Sequence, residues 1–168
     1  MQASSVVQFW KAAQAHGLNI CIDGGWAVDA VLGIQTRPHG DLDIALPDSE
    51  VLALRALLGE RGFREVAQPD SWEHNFVLQS DSGDTIDVHS YELHADGSNK
   101  DGVAYIADHL NGEGEILGCR VRCVPPHWLV RFHTGYEFDE TDWHDVRLLC
   151  ERFGLPIPDV YEQFVKIE

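Results

Sequence analysis

The segment Asp41-Leu42-Asp43-Ile44-Ala45-Leu46 alternates polar and apolar residues as a half-buried strand does. Side chains on a strand alternate with period two, so Asp41 and Asp43 share one face while Leu42 and Ile44 turn to the core. Ile86-Asp87-Val88-His89 repeats the pattern and puts Asp87 and His89 on a common face. A sheet that sets the second strand near the first gathers three carboxylates, which then need a counter-charge. Oxygen donors without thiolate support suit a hard divalent cation, Mg²⁺ or Mn²⁺, ahead of Zn²⁺. Such an ion could clamp phosphates, neutralise charge building in a transition state and help ionise an attacking hydroxyl. Asp41 and Asp43 are the expected metal ligands. Asp87 either completes that shell or takes the proton of the hydroxyl, and both roles stay open.

A second constellation precedes the first. Ile20-Cys21-Ile22 is a short apolar run meeting Asp23-Gly24-Gly25, after which Trp26 to Leu32 has helical character closed by Gly33. Gly24 and Gly25 at a strand-to-helix turn expose backbone N–H groups where a helix N-terminus favours anions, the expected place for phosphates. Arg37 could reach the same phosphates or stand as an ordinary loop arginine. A Gly-Gly pair alone is most often a tight turn, and an isolated Asp-x-Asp is nearly as unspecific. Their order, with a helix between and one more acid on a later strand, is far more specific.

The elements that position these residues can be traced along the chain. Val6 to His16 has apolar positions at helical spacing and ends at Gly17. Pro47-Asp48-Ser49 opens a helix running to about Leu58. Phe63 to Ala67, Phe76 to Gln79 and Thr85 to Tyr91 read as strands of an antiparallel meander. Leu93 to Gly118, rich in Gly, Asp and Asn, reads as loop with one short strand near Val103 to Ile106. Arg120 to Val124 is a strand that Pro125-Pro126 breaks. His127 to Thr134 and Thr141 to Phe153 read as helices, the second capped near Thr141 or Asp142, and a last helix follows Pro158. Residues 1–124 are thus expected to form the core and 125–168 a helical segment packed on it, one compact unit.

Composition narrows the partners. Of 168 residues, 28 are Asp or Glu and 12 Lys or Arg, a formal net charge of −16 that repels a nucleic-acid backbone. Such a field would attract a cationic small molecule, although acidic surfaces are commonly only solvated faces. The four cysteines include no Cys-x-x-Cys pair and no basic, apolar leader opens the chain, which fits free thiols in the cytoplasm. No apolar run approaches the roughly 20 residues a bilayer span needs, so no membrane association is expected.

At Asp23-Gly24-Gly25-Trp26-Ala27-Val28-Asp29 and Arg37-Pro38-His39-Gly40-Asp41-Leu42-Asp43-Ile44 the chain resembles the nucleotidyltransferase superfamily that shares the polymerase-β palm, and within it the lincosamide nucleotidyltransferases, with the aminoglycoside 2''-nucleotidyltransferases somewhat further off. The likeness continues at Ile86-Asp87-Val88-His89 and at Phe132-His133-Thr134-Gly135-Tyr136 with Glu140-Thr141-Asp142. It implies an α+β fold with a mixed sheet, flanking helices and a short helical C-terminal part. It also implies transfer of AMP from ATP to an antibiotic hydroxyl with release of pyrophosphate, in a homodimer. Asp41, Asp43 and Asp87 match the acidic triad, and Gly24 and Gly25 the phosphate-binding turn.

The remaining candidates have plainer explanations. His89 could contact substrate or assist proton transfer, but hydrogen-bonded structural histidines are common. Tyr136 and Asp142 are candidate substrate contacts beside a helix end, where capping and the helix dipole also favour such residues. His39 reads as a residue supporting the site from outside, Trp26 as core, and Asp29 as orienting a neighbour. The acceptor is expected to be a lincosamide. An aminoglycoside within the same chemistry, or a non-catalytic nucleotide-binding module resembling antitoxins, are the alternatives.

Overall fold

The computed structural model describes residues 1–135 and 137–165. In chain order the elements are α1 (Ala3–Ala15), β1 (Cys21–Ile22), α2 (Gly24–Leu32), β2 (Asp41–Pro47), α3 (Val51–Gly59), β3 (Phe63–Val66), β4 (Asn75–Ser80), β5 (Thr85–Leu93), β6 (Asn99–Gly102), β7 (Gly112–Ile116), β8 (Cys119–Cys123), α4 (Pro126–Phe132), α5 (Glu140–Phe153) and α6 (Glu162–Val165). Among the described residues the strands make one eight-stranded sheet in the order β3-β4-β5-β2-β1-β8-β7, with β6 beside β5. β2 runs parallel to β5 and β1 parallel to β8, while the other pairs are antiparallel. The fold is therefore the expected α+β one with a mixed sheet, and β3-β4-β5 is the expected meander.

The period-two pattern decides which way each strand faces. Leu42, Ile44, Ile86 and Val88 are fully buried, and Phe76 and Leu78 of β4 stand opposite Val88 and Ile86 on the same side. Leu54, Leu57 and Leu58 of α3, at helical spacing, join that core, and the Arg55 guanidinium lies 4.2 Å over the Phe76 ring. Helix α2 is apolar apart from Asp29 and buried from Trp26 to Ala30, which suits an element covered by the sheet, α4 and α5. Gly33 closes it at φ +71°, a left-handed conformation that glycine adopts without strain.

Two expectations are corrected. Val103 to Ile106 is irregular, and strands lie on either side of it, at Asn99–Gly102 and Gly112–Ile116. The glycines that suggested loop mark close approaches within a strand. A Cβ on Gly114 would lie 2.5 Å from the Ala30 carbonyl carbon of α2, and one on Gly112 would lie 2.6 Å from the Cys123 oxygen. The cap of α5 is Asp139, two residues before Thr141 and three before Asp142. Its Oδ1 accepts from the Thr141 N–H at 2.7 Å and the Asp142 N–H at 3.1 Å, and Asp142 Oδ2 accepts from the Asp139 N–H at 2.8 Å.

The β7–β8 hairpin turns through Leu117 (φ +49°) and Gly118 (φ +76°), as a type I′ turn requires positive φ at both central positions. Leucine is strained there, and Leu117 is 72% exposed, so little packing offsets the strain. Leu117→Asn is expected to stabilise the protein by about 1 kcal/mol, raising the melting temperature by roughly 2–4 °C. A thermal melt that stays put or falls would refute this account of the turn.

All four cysteines are free thiols. Burial pushes the Cys123 thiol up to about 12 and Cys21 further, which leaves both unreactive. No described helix is long and apolar enough to cross a membrane.

Candidate active site

The parallel register of β2 on β5 sets Asp43 directly beside Asp87, with Asp41 beside Thr85 and Ala45 beside His89. Asp41 and Asp43 share a face as expected, and Asp87 and His89 join it. One carboxylate oxygen each from Asp43 and Asp87 and a ring nitrogen of His89 lie within 4.8 Å of one another. Asp41 stands outside that group at the exposed start of β2, because residues two apart on a strand are separated by about 6.6 Å.

Among the described residues no lysine or arginine forms an ion pair with Asp41, Asp43 or Asp87. Burial, then the charges of Asp41, Asp23 and Asp87, push Asp43 up to about 8. Asp87 is also raised, first by burial and then by Asp41 and Asp70, with His89 opposing them. Its buried Oδ1 has no hydrogen-bond partner among the described residues. A buried, orphaned carboxylate oxygen amid like charges is what a divalent cation would relieve, so the donor set fits one.

The glycine turn closes on the same spot. Gly24 sits at φ +59°, and a Cβ there would land on the Asp43 carboxylate. A Cβ on Gly25 would lie 2.6 Å from His39 Nδ1. Asp23, the cap of α2, accepts the Gly24 N–H at 2.8 Å. That donor is therefore occupied, and among the described residues no side chain accepts from the next two N–H groups of the first turn, those of Gly25 and Trp26, residues that line the cleft.

The other carboxylate oxygen of Asp23 accepts the Tyr105 hydroxyl at 2.5 Å. Burial and the Asp23 charge push the Tyr105 phenol well above its ordinary range, so it remains a donor. His89 Nδ1 is 3.3 Å from the same hydroxyl oxygen, and His89 Nε2 is 3.6 Å from Asp87 Oδ1. Tyr105 thus links the cap of the glycine turn to the second acidic strand. Sequence reading missed it, since a tyrosine in a Gly- and Asp-rich stretch gives no periodic signal; only the hydroxyl on an otherwise apolar residue hinted at a buried partner.

Arg37 is neither free in solvent nor isolated. Its Nε donates to Asp145 Oδ1 at 3.0 Å and its Nη2 to Oδ2 at 2.7 Å, while the residue borders the cleft. His133 donates from Nδ1 to the Leu129 carbonyl at 2.7 Å and brings Nε2 to 3.8 Å from Asp145. Burial opposes its charge, yet Asp145, the Leu129 carbonyl and Asp142 together raise its pKa. Burial would raise Asp145, but His133 and Arg37 hold it below the usual carboxylate range. Asp145 is buried. Asp145→Ala is expected to cost about 2 kcal/mol, because it leaves the half-buried Arg37 unpaired. Chemical denaturation checks this, and an unchanged stability would mean that the ion pair contributes nothing to the fold.

The remaining candidates fall as follows. His39 donates to Asp29 Oδ2 at 2.5 Å, and Asp29 Oδ1 accepts from the Thr36 N–H and hydroxyl at 2.9 and 2.7 Å. Asp29 therefore orients the loop, as expected, and Trp26 is core with its ring 4.5 Å from His39. Asp142 holds the α5 cap and also lines the cleft with Asp23, Gly24, Gly25, Arg37, His39, Asp41, Asp43, His89 and His133. Tyr136 lies outside the described residues. On the far side of Asp41 and Asp87, a second depression is bordered by Gln68, Asp70, Ser71 and Asn75.

A family model described as aminoglycoside-2''-adenylyltransferase matches residues 5–149. A lincosamide resistance protein from Staphylococcus haemolyticus is 30% identical over 134 residues, 76% of this chain and 81% of its own length. A 2''-aminoglycoside nucleotidyltransferase from Klebsiella pneumoniae is 38% identical across 91% of this chain and 88% of its own. Among solved structures, the lincomycin-bound lincosamide antibiotic adenylyltransferase LnuA aligns with a TM-score of 0.76 at 22% identity, over 89% of this chain and 96% of that one. ANT(2'')-Ia in complex with adenylyl-2''-tobramycin aligns with a TM-score of 0.75 at 24% identity, over 90% and 89%. At those identities the two structures speak for the fold. The match over residues 5–149 and the two relatives speak for the family: the chain belongs to the aminoglycoside-2''-adenylyltransferase family of antibiotic nucleotidyltransferases, and it is a nucleotidyltransferase.

Proposed function

We propose that the protein transfers AMP from ATP to a hydroxyl of a lincosamide antibiotic and releases pyrophosphate. The observation that carries this reading is the Asp43–Asp87 pair on adjacent parallel strands, with Gly24 packed against the first carboxylate. Asp41, Asp43 and Asp87 would hold Mg²⁺, or Mn²⁺ in its place, which supplies charge neutralisation at the reacting phosphate. The other work falls to the chain itself. The Gly25 and Trp26 N–H groups open a helix whose N-terminus favours anions, and Arg37, held by Asp145, adds a guanidinium for the phosphates.

Asp87, whose side chain also borders the second depression, takes the proton of the acceptor hydroxyl. The hydroxyl oxygen bonds to the α-phosphorus, the bond from that phosphorus to the oxygen bridging to the β-phosphate breaks, and pyrophosphate leaves. The depression beside Gln68, Asp70 and Asn75 lies on the Asp87 side and suits the acceptor. Asp142 and Tyr136 are substrate contacts in this reading. Residues 125–168 act with 1–124 as one unit, and the active form is a homodimer.

A second acceptor, an aminoglycoside carrying the 2''-hydroxyl, is favoured by the 38% identity to the Klebsiella pneumoniae enzyme and by the acids Asp23, Asp41, Asp70 and Asp142 that border the two depressions. Incubation with ATP and Mg²⁺ and either lincomycin or tobramycin, read by mass spectrometry for the gain of one AMP, separates the two. Modification of lincomycin alone supports the proposal, and modification of tobramycin alone replaces the acceptor. If neither gains mass, both acceptors are wrong.

A further inference from the structure

The hydrogen bonds around Tyr105 determine which nitrogen of His89 carries its proton. A phenol has one hydrogen, and that of Tyr105 goes to Asp23 Oδ2 at 2.5 Å. Toward His89 the phenol oxygen can therefore only accept, so Nδ1, 3.3 Å away, is the protonated ring nitrogen. Nε2 is then the ring nitrogen left to meet a cation. It points at the cluster, 3.6 Å from Asp87 Oδ1, itself an acceptor that is buried and without a partner among the described residues. With an Asp43 oxygen within 4.8 Å of both, the three atoms form a donor set that one cation would join.

We propose that His89 Nε2 joins Asp43 and Asp87 as a ligand of the divalent cation, and that Tyr105 is the positioning residue that fixes the imidazole in the ligating tautomer. The inference rests on the metal-dependent reading above and goes beyond it, since it turns an all-oxygen centre into a mixed one. It also assigns His89 to the cation in place of the substrate contact expected from the sequence. Imidazole suits transition metals better than Mg²⁺, so a mixed donor set shifts preference toward Mn²⁺. A histidine ligand whose other nitrogen is held by a hydrogen bond is the usual arrangement at metal sites. Here the chain extends one step further, to the cap of the glycine turn, so that the cation and the phosphate-binding helix are tied to one buried hydroxyl.

The test uses Mn²⁺ bound to the full chain and pulsed electron paramagnetic resonance, which detects a directly bonded ¹⁴N independently of turnover. Wild type should show imidazole ¹⁴N modulation, His89→Gln should bind Mn²⁺ without it, and the Mn²⁺-to-Mg²⁺ affinity ratio should fall in that variant. Tyr105→Phe, which keeps the ring packing, should weaken Mn²⁺ binding about tenfold. Circular dichroism melts establish that each variant is folded. Mn²⁺ bound to wild type without ¹⁴N modulation, or modulation that persists in His89→Gln, overturns the proposal while leaving the carboxylate centre standing. Failure of wild type to bind Mn²⁺ at all, with or without ATP, overturns both readings.

Discussion

Asp43→Asn should lower nucleotidyl transfer by about 10³-fold, the effect of removing several kcal/mol of metal-mediated stabilisation, and should at the same time raise the melting temperature of the metal-free protein. The two effects have opposite signs because they share one cause. Burial and the neighbouring Asp41, Asp23 and Asp87 hold the folded-state pKa of Asp43 at about 8, whereas a carboxyl in the unfolded chain ionises near 4. Below pH ~4 the side chain is protonated in both states, and Asp43 costs the fold no charge burial. As the pH rises from ~4 to ~8 the unfolded chain releases its proton first, so stability falls throughout that window and levels off above it. Asparagine removes the penalty at every pH. Water and mobile ions soften the field, so a gain on the order of 1–2 kcal/mol at pH 7 is expected, well under the full linkage value. Calorimetry in the presence of a chelator at pH 5, 7 and 8.5 checks this. The difference between variant and wild type should widen with pH up to ~8, and Mg²⁺ should stabilise wild type alone. A variant that melts below wild type at pH 7 would sink the account.

Gly24→Ala should reduce transfer at least 10²-fold and destabilise the protein by about 2 kcal/mol. Two independent costs add at this residue. Its φ of +59° disfavours any Cβ, and the added atom would fall on the Asp43 carboxylate, which must move. A displacement near 1 Å of a group that positions reacting atoms costs about 10²-fold. Gly25→Ala is the informative control. A Cβ there would lie 2.6 Å from His39 Nδ1 and against Arg37, so its damage should appear chiefly in the KM for ATP and only slightly in Mn²⁺ affinity. Gly24→Ala should show the reverse, with Mn²⁺ affinity falling. Equal effects of the two substitutions on metal binding would mean that contact with Asp43 is not the cause.

Both predictions depend on neighbours far apart in the chain, and this separates what could be read from the sequence from what could not. Local periodicity determined that residues 41–46 and 85–91 are strands, that Asp41 and Asp43 lie on one side of the first, and that Asp87 and His89 lie together on one side of the second. While the cap at Asp23 and the start at Gly24 came from the structure, the glycines determined that a helix covers Trp26 to Leu32 and stops at Gly33. Such signals are short-range: they need only the pleat, the helical turn and the backbone preferences of glycine. They misled at residues 93–118, where Gly112 and Gly114 allow a helix and a backbone to come close and do not mark a loop, a distinction set by contacts with Ala30 and Cys123.

Tertiary structure alone decided the rest. The parallel register that puts Asp43 beside Asp87, the bond of Tyr105 to Asp23 across 82 residues and that of Arg37 to Asp145 across 108 depend on how separate elements pack. No local pattern encodes which polar atoms will meet once water is excluded. A hydrogen-bond partner for a buried hydroxyl or guanidinium is chosen by the whole fold, because leaving either unpaired costs more than any propensity of the segment that carries it.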